Sequence, residues 1–187
     1  MDLRNNINSY NPSRIVLITG GTKSGKSEFA EHIAKKSKNL TYIALSENRI
    51  NDNNWEKKIS IHRKRRPENW ELIETTDLLD TLNKVIGPIL IDSIGGFVME
   101  SIDIDDNEWK KKMKNLIDVL QNRNYLTVIV GEQVGWSLVS EYKIGNIYIE
   151  RIGDLLKLLS NISKDNWIAI NGRAIKIDEI SLEIPFY

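Results

Sequence analysis

The 187-residue chain has no cysteine. Disulfides, thiol nucleophiles and thiolate metal ligands are therefore excluded. It also lacks an excess of either charge, with 26 Lys+Arg against 26 Asp+Glu. A phosphate backbone selects for a basic surplus, so nucleic acid is not expected as the main partner. No stretch reaches the roughly 18 consecutive apolar residues of a membrane span. The first thirteen residues, MDLRNNINSYNPS, carry no signal-peptide apolar run and read as a loose polar tail ahead of one domain over 14–187. Together with the missing cysteine, this fits a cytoplasmic protein. Histidine is scarce, with only His32 and His62.

What the chain does contain is an alternation of apolar runs and helical patterns. Strands are expected at Ile15–Thr19, Leu40–Leu45, Trp70–Thr75, Pro88–Asp92 and Thr127–Val130. Two more, Trp167–Ile170 and Ala174–Ile177, flank Asn171-Gly172, a hairpin-turn signal. Helical spacing links Phe29, Ala30, Ile33 and Ala34, then Leu78, Leu79, Leu82, Val85 and Ile86 behind an Asp77 cap. It returns in Trp109, Met113, Leu116, Ile117 and Leu120, and in Leu155, Leu156, Leu159 and Ile162. Strands alternating with helices predict an α/β fold with a mostly parallel sheet covered on both faces and a C-terminal hairpin. Ser46–Asn54 reads as a surface loop.

Residues 20–27, GGTKSGKS, fit the phosphate-binding pattern G-x-x-x-x-G-K-[ST] between a strand and a helix. The amides of Gly20, Gly21, Thr22, Lys23, Ser24 and Gly25 can point at phosphate oxygens, and the helix start adds its positive dipole end. Lys26 is placed to reach the β- and γ-phosphates, and the Ser27 hydroxyl to bind Mg²⁺. Asp92, at the end of PILID, is the candidate second magnesium ligand; the alternative is an ordinary carboxylate at a strand end. His32 lies off the apolar face of its helix and reads as a surface residue.

His62 sits in ISIHRKRRPENW, directly before Arg63, Lys64, Arg65 and Arg66. Spacing alone favours a solvent-facing histidine on a basic segment. The order of GGTKSGKS, YIAL, the Ile59…His62…Arg66-Pro67…Trp70 block and a late V-G-x-x-x-V-x-E pattern changes that balance. The chain resembles the bifunctional adenosylcobinamide kinase / adenosylcobinamide-phosphate guanylyltransferase family of cobalamin biosynthesis, from about Ile15 to Ile177. The resemblance implies a RecA-like three-layer P-loop fold, a homotrimer, ATP and GTP as substrates with Mg²⁺, and a corrinoid as acceptor. It implies that His62 attacks the α-phosphorus of GTP to form a GMP-histidine, with Arg66 and its neighbours neutralising the leaving pyrophosphate. It further suggests nucleotide contacts from Ser46, Lys64, Arg65, Arg66, Pro67 and Glu74; Glu74 reads equally well as an exposed strand carboxylate.

The chain departs from that family's pattern at several points. Leu45 stands for Thr, Asn54-Trp55 for Glu-Met, Gly95 and Phe97 for Thr and Trp, and Ser140 for Pro. Asn146 and Ile149 replace two arginines, Glu150 an Asp, and Leu156-Lys157 an Asn-Gln pair. The family's Asn-Glu-Val-Gly reads Glu132-Gln133-Val134-Gly135, moving the carboxylate by one position. Neighbouring strand residues face opposite sides, so Glu132 is not expected to take over the place of position 133. One activity, or the usual substrate preference, is expected to differ.

Overall fold

A computed structural model describes residues 14–45, 67, 69–136 and 140–184. Seven strands form one sheet: β1 (Ile15–Gly20), β2 (Thr41–Leu45), β3 (Glu71–Thr75), β4 (Ile89–Asp92), β5 (Thr127–Glu132), β6 (Asp165–Ile170) and β7 (Arg173–Lys176). Among the described residues five α-helices accompany them: α1 (Lys26–Ala34), α2 (Leu78–Lys84), α3 (Gly95–Glu100), α4 (Asp106–Gln121) and α5 (Lys143–Ile162). The strand order is β3-β2-β4-β5-β1-β6-β7. All pairings are parallel except the β6–β7 hairpin. This is the mostly parallel P-loop α/β fold that the sequence pattern predicts, with one strand between the P-loop strand and the strand carrying Asp92.

β1 is buried along its whole length because helices cover both of its faces. Val16, Ile18, Leu90, Val128 and Val130 pack beneath Ala30 and Ala34 of α1. Ile15, Leu17, Ile43, Ile91 and Ile129 pack against α2 to α5, where Leu78, Leu116, Leu120, Leu155 and Leu159 are buried. The predicted core stripes of α4 and α5 therefore face the sheet. Asp77 caps α2 by accepting from the Asp80 N–H at 3.0 Å, a contact worth about 1 kcal/mol. Asn171 and Gly172 both adopt positive φ (50° and 73°), as a two-residue hairpin turn requires.

The α2 stripe ends earlier than its spacing suggests. Val85 is already extended, and Ile86 is 84% exposed instead of facing the core. The cause lies across the sheet end. The Arg123 guanidinium collects the carbonyls of Leu82, Val85 and Gly87 at 3.1, 3.0 and 2.7 Å, and Pro88 disfavours helix in the residue before it. Among the described residues no helix is long and apolar enough to cross a membrane.

Candidate functional site

The site lies where the P-loop leaves β1. Gly25 caps α1 in the left-handed region (φ 95°), a conformation costly for any side chain, and Lys23 (φ 57°) makes a second such turn. These two turns curl the backbone so that α1 begins at Lys26. Lys26 Nζ donates back to the Gly21 carbonyl at 3.1 Å, spanning the loop where the outer phosphates of a nucleotide would lie. The loop is braced on both sides. The Gly172 N–H donates to the Ser24 carbonyl at 3.0 Å, and the Gln133 N–H to that of Gly20 at 3.0 Å. Ser24 Oγ is buried with no hydrogen-bond partner among the described residues, leaving a donor for a ligand.

The proposed magnesium pair converges. Ser27 Oγ donates to Asp92 Oδ1 at 3.3 Å, and Tyr42 Oη donates to Asp92 Oδ2 at 2.7 Å. Strand alternation explains the meeting: Asp92 shares the face of Leu90, which packs toward α1. Two oxygen donors this close suit a hard cation such as Mg²⁺ whose remaining ligands are phosphate oxygens and water. Among the described residues no cluster of three or more His, Cys, Asp or Glu could hold a metal. A divalent ion here would thus depend on the nucleotide's own oxygens.

One residue outside the expected set belongs to the site. Glu132 ends β5 opposite Gly20 in the β1–β5 register, beside the start of the P-loop and within the field of Lys26. Glu132 accepts a hydrogen bond from the Ser93 hydroxyl and another from the Gly95 N–H at 3.2 Å. Burial pushes its carboxyl above the ordinary range, with the Asp92 charge adding to this; Ser93, the Glu132 backbone and the Lys26 charge pull the other way. Burial, and then the Glu132 charge, likewise raise the Tyr148 phenol. The one available signal was its place at the end of the apolar run of β5, where a strand meets the P-loop edge of the sheet.

Several departures from the family pattern fall in contacting sets. A Cβ on Gly95 would stand 2.7 Å from Glu132 Oε2 and collide with Tyr148 Oη, so Gly95 is the residue that admits Glu132. Ser140 and Asn146 hold one another: the Ser140 N–H donates to Asn146 Oδ1 and Asn146 Nδ2 to the Ser140 carbonyl, each at 3.0 Å. Phe97 is buried with its ring centroid 5.8 Å from that of Trp109, and Leu156 is buried over Gly131.

The remaining sequence candidates divide in two. Ser46, His62, Lys64, Arg65 and Arg66 lie outside the described residues. Pro67 is half-buried, and its carbonyl accepts from the Trp70 N–H at 3.1 Å. Glu74 is exposed on β3, the outer strand of the sheet. Four strand spacings separate β3 from β1, roughly 19 Å, so the fold does not bring Glu74 to the P-loop. His32 is exposed and stacks on Phe29 with centroids 6.4 Å apart, as expected of a surface residue.

Comparison with known proteins places these features in a family. A family model described as "CobU: Cobinamide kinase / cobinamide phosphate guanyltransferase" matches residues 16–177. The bifunctional adenosylcobalamin biosynthesis protein CobU of Escherichia coli (strain K12) is 28% identical over 181 residues, covering 87% of this chain and 99% of that protein. The protein of the same name from Salmonella typhimurium is 26% identical over the same shares. Among solved structures, a protein from Pyrococcus horikoshii OT3 superposes with a TM-score of 0.51 at 8% identity, covering 87% of this chain and 84% of that one. That likeness bears on the fold alone.

Proposed function

Because the chain belongs to the cobinamide kinase / cobinamide phosphate guanyltransferase family, we propose that it phosphorylates adenosylcobinamide and then guanylylates the product, giving adenosylcobinamide-GDP in cobalamin biosynthesis. The observation that carries this reading is the convergence of Lys26, Ser27 and Asp92 at the mouth of β1, inside a family match that spans nearly the whole sheet.

In the first reaction the P-loop amides hold the phosphates of ATP or GTP, and the Lys26 charge offsets the negative charge that develops between the β- and γ-phosphates. Ser27 and Asp92 would hold Mg²⁺, which when bound polarises the transferring phosphoryl group. The acceptor is the aminopropanol hydroxyl of the corrinoid. No protein nucleophile is required, since the alcohol oxygen replaces the bridging oxygen on the γ-phosphorus.

The second reaction splits into two displacements. The neutral His62 imidazole attacks the α-phosphorus of GTP, the bond to pyrophosphate breaks, and a GMP-histidine forms. A phosphate oxygen of adenosylcobinamide phosphate then displaces the histidine. Arg66, with Lys64 and Arg65, supplies positive charge to the departing pyrophosphate. Ser46 and Pro67 add nucleotide contacts in this reading, Glu74 stays an exposed carboxylate of the outer strand, and the working assembly is a homotrimer in the cytoplasm.

The experiment is a labelling one. The protein is mixed with Mg²⁺ and α-labelled GTP, and the chain is assayed for acid-labile, alkali-stable label. Label on His62 supports guanylyl transfer through a phosphoramidate. Intact GTP binding with no label would reduce the activity to the kinase step or to binding alone.

A further inference from the structure

The nucleotide reading uses Lys26, Ser27 and Asp92 and leaves Glu132 without a task. A second carboxylate beside a triphosphate repels it, and burial adds a desolvation cost. Glu132 nevertheless sits at the end of β5, paired in register with Gly20 at the start of the P-loop, one strand from Asp92 and within the field of Lys26. The surroundings are built to hold it there. Gly95 donates its N–H to one carboxylate oxygen and leaves the space that any larger residue would fill. The other oxygen accepts from the Ser93 hydroxyl, so a hydroxyl fits against this carboxylate.

We propose that Glu132 is a catalytic residue of the phosphoryl transfer, receiving the hydroxyl of the corrinoid acceptor and taking its proton. The inference rests on the kinase half of the proposed function. In the step, the alcohol oxygen forms a new bond to the γ-phosphorus. The bond from that phosphorus to the β–γ bridging oxygen breaks, and its electron pair leaves with the nucleoside diphosphate. The hydroxyl proton passes to a carboxylate oxygen of Glu132. That oxygen retains a lone pair beyond the one Ser93 uses, so the acceptor can bind beside Ser93 or displace it. Cleavage of the nucleotide is then tied to an alcohol being present, because water bound loosely at this carboxylate lacks the remote contacts that fix the corrinoid.

The test uses the full-length chain with Mg²⁺, ATP or GTP, and cobinamide. In E132Q the turnover number for cobinamide phosphorylation should fall by about 10²–10⁴-fold, the usual contribution of a positioned acid–base group. Nucleotide affinity, measured by direct titration, and the KM for cobinamide should stay near wild type. E132A provides a second arm: added formate should restore part of its turnover, which a purely structural role would not permit. Wild-type turnover in E132Q overturns the proposal. So does a loss that tracks nucleotide affinity one for one, or an E132A enzyme that binds nucleotide but gains nothing from formate. A wild-type chain that binds nucleotide and phosphorylates no cobinamide fails at the earlier step, and removes the kinase reading itself.

Discussion

Ser27 Oγ donates to Asp92 Oδ1 across 3.3 Å, joining the first turn of α1 to the tip of β4, while Tyr42 Oη holds the other carboxylate oxygen at 2.7 Å. Asp92 is thus aimed before any ligand arrives. Removing the aiming hydroxyl alone should expose its value. In Y42F the Mg²⁺ dependence of nucleotide binding should shift to about 10–100-fold higher metal concentration, the usual cost of losing a partner behind a metal ligand. Titrations of nucleotide at a series of Mg²⁺ concentrations measure it. An unchanged Mg²⁺ dependence in both Y42F and D92N would remove Asp92 from the metal site.

Lys26 carries the charge that the outer phosphates need, and its tether to Gly21 keeps it over the loop. K26A should weaken triphosphate binding and lower phosphoryl transfer by about 10²–10³-fold or more. Diphosphate binding should suffer less, since the γ-phosphate contact is already missing. Calorimetric titration with both nucleotides checks this; wild-type affinity for GTP would sink the P-loop assignment.

His62→Ala should separate the two reactions. Covalent GMP should disappear, and cobinamide phosphorylation should persist within about threefold, because that transfer needs no protein nucleophile. Arg66→Ala should slow labelling by about 10²–10³-fold through lost charge stabilisation. Guanylylation at the wild-type rate in H62A would return the segment around it to a solvated basic face.

Glu132 also gives a stability signature that depends on pH. Its carboxyl is held above the ordinary range chiefly by burial. Between the unfolded and folded values, the folded chain keeps a proton that the unfolded chain has released. The contribution is therefore complete below the unfolded pKa and is lost as pH rises through the folded one. E132Q has nothing to ionise there. The melting temperature of wild type minus that of E132Q should fall as pH goes from about 4 to about 7. A difference that is flat or rises would show that the carboxyl is not held up.

Gly95→Ala is a steric test of the same cluster. The new methyl would meet Glu132 Oε2 at 2.7 Å and the Tyr148 hydroxyl. Relief requires moving the Glu132 or Tyr148 side chain out of a packed cluster, at about 1–3 kcal/mol. Chemical denaturation measures the loss, and E132A should recover part of it in the double variant.

The parts of this molecule that were legible in the sequence are those set by one repeating rule. Apolar runs marked the strands, 3.6-residue spacing marked the faces of α4 and α5, and Asn171-Gly172 marked the hairpin. Asp92 could be paired with Ser27 because a carboxylate ending an apolar strand and a P-loop serine have one common partner. α3 was hidden: its six residues begin with two glycines, which weaken any helix pattern, and it forms because Phe97 and Val98 find the core. The cluster of Glu132, Ser93, Gly95 and Tyr148 was hidden for another reason. It draws on β5, the turn after β4, α3 and α5, which only the tertiary packing brings together. The departures at Gly95 and Glu132, read singly, looked like losses; in contact they are two sides of one rearrangement.

The central position of β1 has a consequence for how the chain is made. Ile15 pairs with Thr127, and Val16 with Asp165, so both neighbours of β1 lie more than a hundred residues downstream. On the ribosome, at about 5–20 residues per second, β2, β3 and β4 can associate with one another while the first strand still waits, apolar on both faces. The loop it carries takes its shape only once β5 and β6 have arrived, and the hairpin turn that braces Ser24 comes later still. The P-loop strand is thus made before both of its partners and can complete its sheet only after them. A product stopped short of β6 would lack one neighbour of the P-loop strand and the Gly172 N–H that braces Ser24.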